Sequence, residues 1–180
     1  MLGPLVRVFE EATDDEPWAL IGACACSLQG VDAPSPNLEF MTTEPALRTL
    51  AEMLDIDAAW QRGSRLAAER LHFVRERVPV FVFANPTFHG PYDAISPTEI
   101  PSLWDARVRV ELDGVTVLST PLEWELLLAV VLGATERLAA LRSGLTDHPP
   151  DGRLLTRLLR EGRVEAATEE AVWAAVEGVE

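Results

Sequence analysis

A four-residue apolar run, Trp18 to Ile21, leads straight into Gly22-Ala23, and thirteen residues later comes Asn37-Leu38-Glu39-Phe40. The run reads as a strand, and the glycine and small residue after it as a tight turn into a helix over Gly22 to Leu28 that Gly30 closes. Pro34, Pro36 and Asn37 then mark a loop entering a short strand that ends near Met41. Behind Thr42 or Thr43, either of which can cap a helix, Leu47, Leu50, Ala51 and Leu54 recur at helical spacing, so one face of that helix is buried. The order strand, turn, helix, strand, helix is an α/β arrangement.

The remainder extends the same pattern. Pro4 to Thr13 reads as a short opening helix, followed by the acidic turn Asp14-Asp15-Glu16-Pro17. Asp57 to Gln61 reads as helical, and Leu71 to Arg75 and Val78 to Ala84 carry the Val and Phe that a sheet favours. Asn85 to Tyr92 reads as a Gly/Pro-rich loop interrupting that sheet. Val108 to Leu112 and Val115 to Leu118 flank Asp113-Gly114, a two-residue hairpin signal because both turn positions need positive φ. Thr120-Pro121-Leu122-Glu123 has the form of a capping box opening a helix to Arg142, stopped by Gly144. The middle of that helix, Leu126 to Leu132, is apolar on every side and is expected to be buried all round. Asp151 and Thr168 are expected to cap two further helices. We divide the chain into a core over 1–119 and a C-terminal helical segment over 120–180 packed on it.

Composition bounds the function. At 180 residues the chain buries about 70% of its unfolded surface without staples. Two cysteines, Cys24 and Cys26, sit two positions apart and are read as packing residues rather than a disulfide or a metal site. The longest apolar run, Leu126 to Ala134, is too short to cross a bilayer, and Met1 to Glu10 lacks the form of a secretion signal. A cytoplasmic protein without a membrane partner is expected. Fifteen arginines, no lysine and 29 acidic residues give a net charge of -14, which disfavours DNA or RNA as partner. Lysine's absence also excludes a Walker A loop, a pyridoxal Schiff base and a Ser-Lys nucleophile. Residues 61–110 hold seven arginines against five acids, so an anion site is expected around Arg70, Arg75 and Arg77.

The stretch from Trp18 to Leu54 resembles the core of the nucleotidyltransferase superfamily, in its minimal or AbiEii-type branch. The family pattern is Gly followed by Gly or Ser, a gap like the one here, then Asp, an apolar residue, and Asp or Glu. Gly114 to Glu123 and Asp147 to Leu155 follow the family's later order of turned strands, long helix and final helix. The resemblance implies a mixed sheet flanked by helices and a C-terminal helical segment. It also implies that Gly22 and Ala23 approach a nucleotide and that Asn37 and Glu39 occupy the catalytic positions, with Glu39 a metal ligand. Gly63-Ser64 is a decoy, since no carboxylate pair follows it.

The departures from that pattern carry the functional reading. Nucleotidyl transfer uses two divalent ions, which want several carboxylate oxygens to balance their charge, and an Asp-x-Asp pair serves because alternate strand residues point the same way. Here Asn37 replaces the first acid, and Arg77 to Tyr92, which holds the third strand, has neither Asp nor Glu. The family's long-helix lysine is replaced by apolar residues near Leu128 to Val131. A catalytically degenerate protein with a binding or regulatory role, linked to toxin-antitoxin or defence systems, is expected. Mg²⁺ and nucleotide are candidate ligands that are not expected to bind tightly.

Two alternatives stay open: an acidic immunity- or antitoxin-like protein that binds a basic protein partner, and an active Mg²⁺-dependent enzyme using a rearranged acid such as Asp32 or Glu76. Each residue also has a plain reading. Gly22-Ala23 makes a tight turn, Asn37 serves as a turn residue, and Glu39 projects from a strand. The five tryptophans are expected to pack, Trp104 being the best surface anchor, and His89 is a candidate ligand contact.

Overall fold

The computed structural model describes residues 2–13, 16–33, 35–112, 114–146 and 149–177. Asp14-Asp15, Asp113 and His148 lie outside the described residues. The elements are α1 (Leu2–Thr13), β1 (Trp18–Ile21), α2 (Gly22–Leu28), β2 (Leu38–Thr42), α3 (Glu44–Leu54), β3 (Ala59–Arg62), β4 (Leu66–Arg75), β5 (Val78–His89) and β6 (Ala94–Ile95). A 3₁₀ turn (Pro97–Glu99) precedes α4 (Pro101–Asp105), β7 (Val108–Leu112), β8 (Val115–Ser119), α5 (Leu122–Val131), α6 (Thr135–Leu145), α7 (Gly152–Glu161) and α8 (Ala166–Glu177).

The strands form one mixed sheet in the order β3-β4-β5-β2-β1-β8-β7, with β6 paired to the end of β5. Strand β2 is central, antiparallel to β1 and parallel to β5, so Glu39 lies between Ile21 and Phe81. Alternation then sends neighbouring residues of β2 to opposite sides. Leu38 and Phe40 face α1 and α3, where Phe9 stacks on Phe40 at 4.4 Å. Met41, together with Ala19 and Ile21, meets the apolar faces of α5, α7 and α8. Burying each such large side chain stabilises the fold by roughly 1.5–3 kcal/mol. Glu39 shares the side of Met41.

Several expectations change in the structure. The segment read as helical at Asp57 to Gln61 instead supplies β3, which pairs antiparallel with β4. The sheet is not interrupted after Ala84, because β5 runs on to His89. Asn85 and Pro86 are both set against Ala68, between the pairs Glu69 with Ala84 and Ala67 with Thr87. This bulge absorbs a proline that cannot donate to the ladder. Trp60, read as a packing residue, is 68% exposed on β3.

The predicted helix from Leu122 to Arg142 is two helices. At the end of α5, Ala134 N–H donates to Ala129 at 2.9 Å and Gly133 N–H to Val130 at 3.1 Å, while Gly133 takes φ +60. That is a glycine-terminated helix end with a six-to-one bond, and it sends α6 off in a new direction. The capping box at Thr120 and Glu123 does not form either. Glu123 accepts the N–H of Asp151 at 2.7 Å, and the Thr120 hydroxyl turns inward. Asp151 caps α7 as expected, through Arg153 and Leu154 N–H. Thr168 does not cap α8. Its hydroxyl and the Glu165 N–H both donate to Asp93, which reaches over from the loop after β5. Thr43 takes the N-cap position of α3, yet its hydroxyl donates to Glu16 at 2.6 Å.

Candidate active-site cleft

Strand β1 ends at Ile21, and the chain turns into α2 through Gly22, which sits at φ +76. Glycine is required there twice over. The left-handed backbone disfavours a side chain, and a Cβ would stand 2.7 Å from Oε2 of Glu39. The β1–β2 register, Ile21 against Glu39, brings that carboxylate to the turn. Asn37, two residues earlier on the same side, donates its side-chain N–H to Glu39 Oε1 at 3.3 Å. Gly22, Ala23, Asn37 and Glu39 therefore come together, as the sequence places them.

The structure adds three residues to this corner. Glu125, on the first turns of α5, is fully buried, and its Oε1 accepts the Gly22 N–H at 3.0 Å and the Thr120 hydroxyl at 2.6 Å. Its Oε2 has no hydrogen-bond partner, and Nη1 of Arg137 lies 3.8 Å away. Nη2 of Arg137 would be 3.8 Å from a Cβ on Gly22, so the guanidinium closes the corner beside both carboxylates. Arg137 gets there because the break at Gly133 swings α6 back across the end of α5.

The electrostatics follow from burial. Burial pushes Glu125 up to about 7, against the opposing pull of the Thr120 hydroxyl, Arg137 and the Gly22 amide, while the charge of Glu39 adds to the rise. Burial also raises Glu39, with Arg137 and the Asn37 amide pulling it back. Desolvating a carboxylate costs several kcal/mol. A guanidinium about 4 Å away returns roughly 4 kcal/mol at an effective dielectric near 20. The two are comparable, so a single arginine cannot hold both acids firmly ionised.

Above this corner lies a cleft of about 680 Å³ whose wall includes Ala23, Asn37, Glu39, Arg65, Glu136 and Arg137. A smaller hollow of about 160 Å³ beneath it is lined by Gly22, Phe83, Phe88 and Leu128, again with Glu39 and Arg137. The cleft's arginines are not those expected. Arg65 comes from the basic middle segment and Arg137 from α6, whereas Arg70 lies over the Phe81 ring at 5.8 Å. Neither Asp32 nor Glu76 lines the cleft, and both are exposed. On β5, the residues beside Glu39 on its side of the sheet are Phe81 and Phe83. Among the described residues no group of three or more His, Cys, Asp and Glu is placed to hold a metal ion. Cys24 and Cys26 are free thiols, and burial raises both.

Sequence reasoning missed Thr120, Glu125 and Arg137. The signal for Glu125 was present as one of two acids opening an otherwise apolar helix, where a buried charge needs partners. Nothing local marked Arg137, because its position depends on the turn at Gly133.

No family model matches the chain, and no curated protein matches it. Solved structures do. A candidate nucleotidyltransferase from Thermotoga maritima superposes with a TM-score of 0.59 at 15% identity, covering 81% of this chain and 92% of its own. An antigenic nucleotidyltransferase-like protein from Paracoccidioides brasiliensis gives 0.48 at 13% identity, covering 96% of this chain and 91% of its own. The antibiotic-resistance factor ANT(2'')-Ia gives 0.48 at 12% identity, covering 97% and 90%. Superpositions as loose as the last two add nothing about site or ligand. The fold is nucleotidyltransferase-like, a mixed sheet flanked by helices. No described helix is long and apolar enough to cross a membrane.

Proposed function

We propose that this chain is a catalytically degenerate nucleotidyltransferase-fold protein whose cleft binds a nucleotide without transferring it. The observation that carries the reading is the commitment of the acids. Glu39 alone reaches the cleft from the central strands, Asn37 stands where a second strand acid would be, and Phe81 and Phe83 stand where β5 would offer a third. Glu125 is buried and already engaged by Gly22 and Thr120. Glu136 lines the cleft from α6, but among the described residues no three acids are grouped to hold a metal ion, and two divalent ions need more anionic oxygen than this. The residues present do not fit a paired-metal centre.

The chemistry left to the chain is recognition. Arg65 and Arg137 offer guanidinium donors to phosphate oxygens, the geometry arginine suits best. A regulatory role beside toxin-antitoxin or defence systems follows from the AbiEii-type resemblance of the sequence. Isothermal titration with ATP, GTP, CTP and UTP, paired with a pyrophosphate-release assay, tests the reading. Binding of at least one nucleotide without release above background is expected; sustained release overturns it.

A second reading draws on the surface. The net charge of -14 and the 68% exposed Trp60 on the edge strand β3 suit contact with a basic protein. Co-purification from the native host separates the two, since a stoichiometric basic partner favours this reading and a retained nucleotide the first.

A further inference from the structure

Two carboxylates converge on Gly22 from different elements, Glu39 from the central strand and Glu125 from α5, and among the described residues the cation paired with Glu125 is Arg137. The hydrogen bonds of Glu125 all fall on Oε1. Its Oε2 is fully buried and has no hydrogen-bond partner, its ion pair with Arg137 being held at 3.8 Å, outside hydrogen-bond reach. A buried carboxyl oxygen without a donor is completed either by a proton or by a cation. Glu39 Oε2 reaches within 2.7 Å of where a Gly22 Cβ would stand, and Arg137 Nη2 within 3.8 Å of the same point. The guanidinium cannot be deprotonated, so its charge is permanent there.

We propose that Glu39 and Glu125 form a site for one hard divalent cation that is held closed by Arg137, whose guanidinium fills the corner beside Gly22. The site differs from a strand-borne acid pair, because its second carboxylate comes from the helix and an arginine already offsets part of its charge. Mg²⁺ is held by one or two protein carboxylates, with waters and substrate phosphates filling its remaining positions, so two acids provide the protein's share once the guanidinium is gone. With Arg137 in place, a phosphate entering the cleft meets the guanidinium directly and needs no metal bridge. The inference rests on the binding reading above for its nucleotide arm alone; the cation arm is independent of it.

The experiment titrates Mn²⁺ alone, followed by electron paramagnetic resonance and calorimetry, into the wild-type chain, Arg137→Gln, Arg137→Lys and the double variant Arg137→Gln/Glu125→Gln. Circular dichroism confirms that each is folded. The wild type and Arg137→Lys are expected to show no site at about 1 mM Mn²⁺, Arg137→Gln to bind one ion about tenfold or more tighter, and the double variant to lose it. A tight site in the wild type overturns the proposal. So does an Arg137→Gln that behaves like the wild type, or a gained site that survives Glu125→Gln. Two wild-type arms need no variant: ATP is titrated with EDTA and with excess Mg²⁺. Equal affinity supports the proposal, whereas binding only with Mg²⁺ overturns it and leaves the nucleotide reading standing. Absence of ATP binding in both overturns the nucleotide reading, while the Mn²⁺ series still decides the role of Arg137.

Discussion

Phe40 and Glu39 are consecutive residues of one strand, and they enter two different kinds of interior. On one side of the sheet Phe40 is stacked against Phe9 and tilted against Trp18, in a layer closed by α1 and α3. That side is apolar and its side chains need only shape. On the other side, Glu39 meets a turn, a second carboxylate and an arginine under the C-terminal helices. There an oxygen is left without a hydrogen bond and two acids are pushed upward by burial. The contrast separates a face that holds the molecule together from one that carries unresolved charge, which is the face where a ligand can gain free energy.

The contrast can be broken most strongly from the apolar side. Phe40→Ala is expected to lower stability by about 3–5 kcal/mol, measured by urea unfolding, because the aromatic stack cannot close over the lost ring. The polar side responds to pH instead. Glu125 moves from an ordinary 4.5 to about 7 in the folded chain, so between those values the native state holds a proton that the unfolded state has lost. Its contribution to stability is therefore fully present below about pH 4.5 and is lost as pH rises through about pH 7, the reverse of a salt-bridged acid. Denaturation midpoints taken across that window should fall with pH in the wild type, and the fall should flatten in Glu125→Gln.

Smaller changes sharpen the boundary between the two faces. Gly22→Ala is expected to lose about 1–2 kcal/mol from its left-handed backbone alone, and to weaken nucleotide binding further by displacing Glu39. Calorimetric affinity falling more than thermal stability would separate the second effect from the first. Asp93→Ala removes only the cap of α8 and should cost about 1 kcal/mol, visible as faster amide exchange over the first turn of that helix with cleft affinity unchanged.

How much of this was legible depends on how local each cause is. Trp18 to Ile21, Gly22 to Leu28 and the strand at Leu38 were readable because period, glycine and flanking prolines all lie within a few residues of the element they define. The convergence of Gly22, Ala23, Asn37 and Glu39 was readable for the same reason, together with the family resemblance. The strand through Asn85-Pro86 was not, because the bulge that accommodates the proline is made with Ala68 on the other strand. Thr120 and Glu123 had the spacing of a capping box, yet both side chains found partners far along the chain or buried in the core. Gly133 was read through as one residue of a long helix, and with it the position of Arg137 was lost.

That last turn has a consequence for how such a cleft could change over time. A continuous helix advances its side chains by about 100° per residue, so the bearing of Arg137 is set by the joint at Gly133, itself on the cleft wall, rather than by any residue of β1, β2 or α5. Inserting or deleting one residue in the joint at 132–134 would rotate the guanidinium off the two acids while leaving every residue of β1, β2 and α5 in place. Charge at the heart of this protein is thus governed from its connecting turn, and a lineage could shift it without a single substitution at either acid.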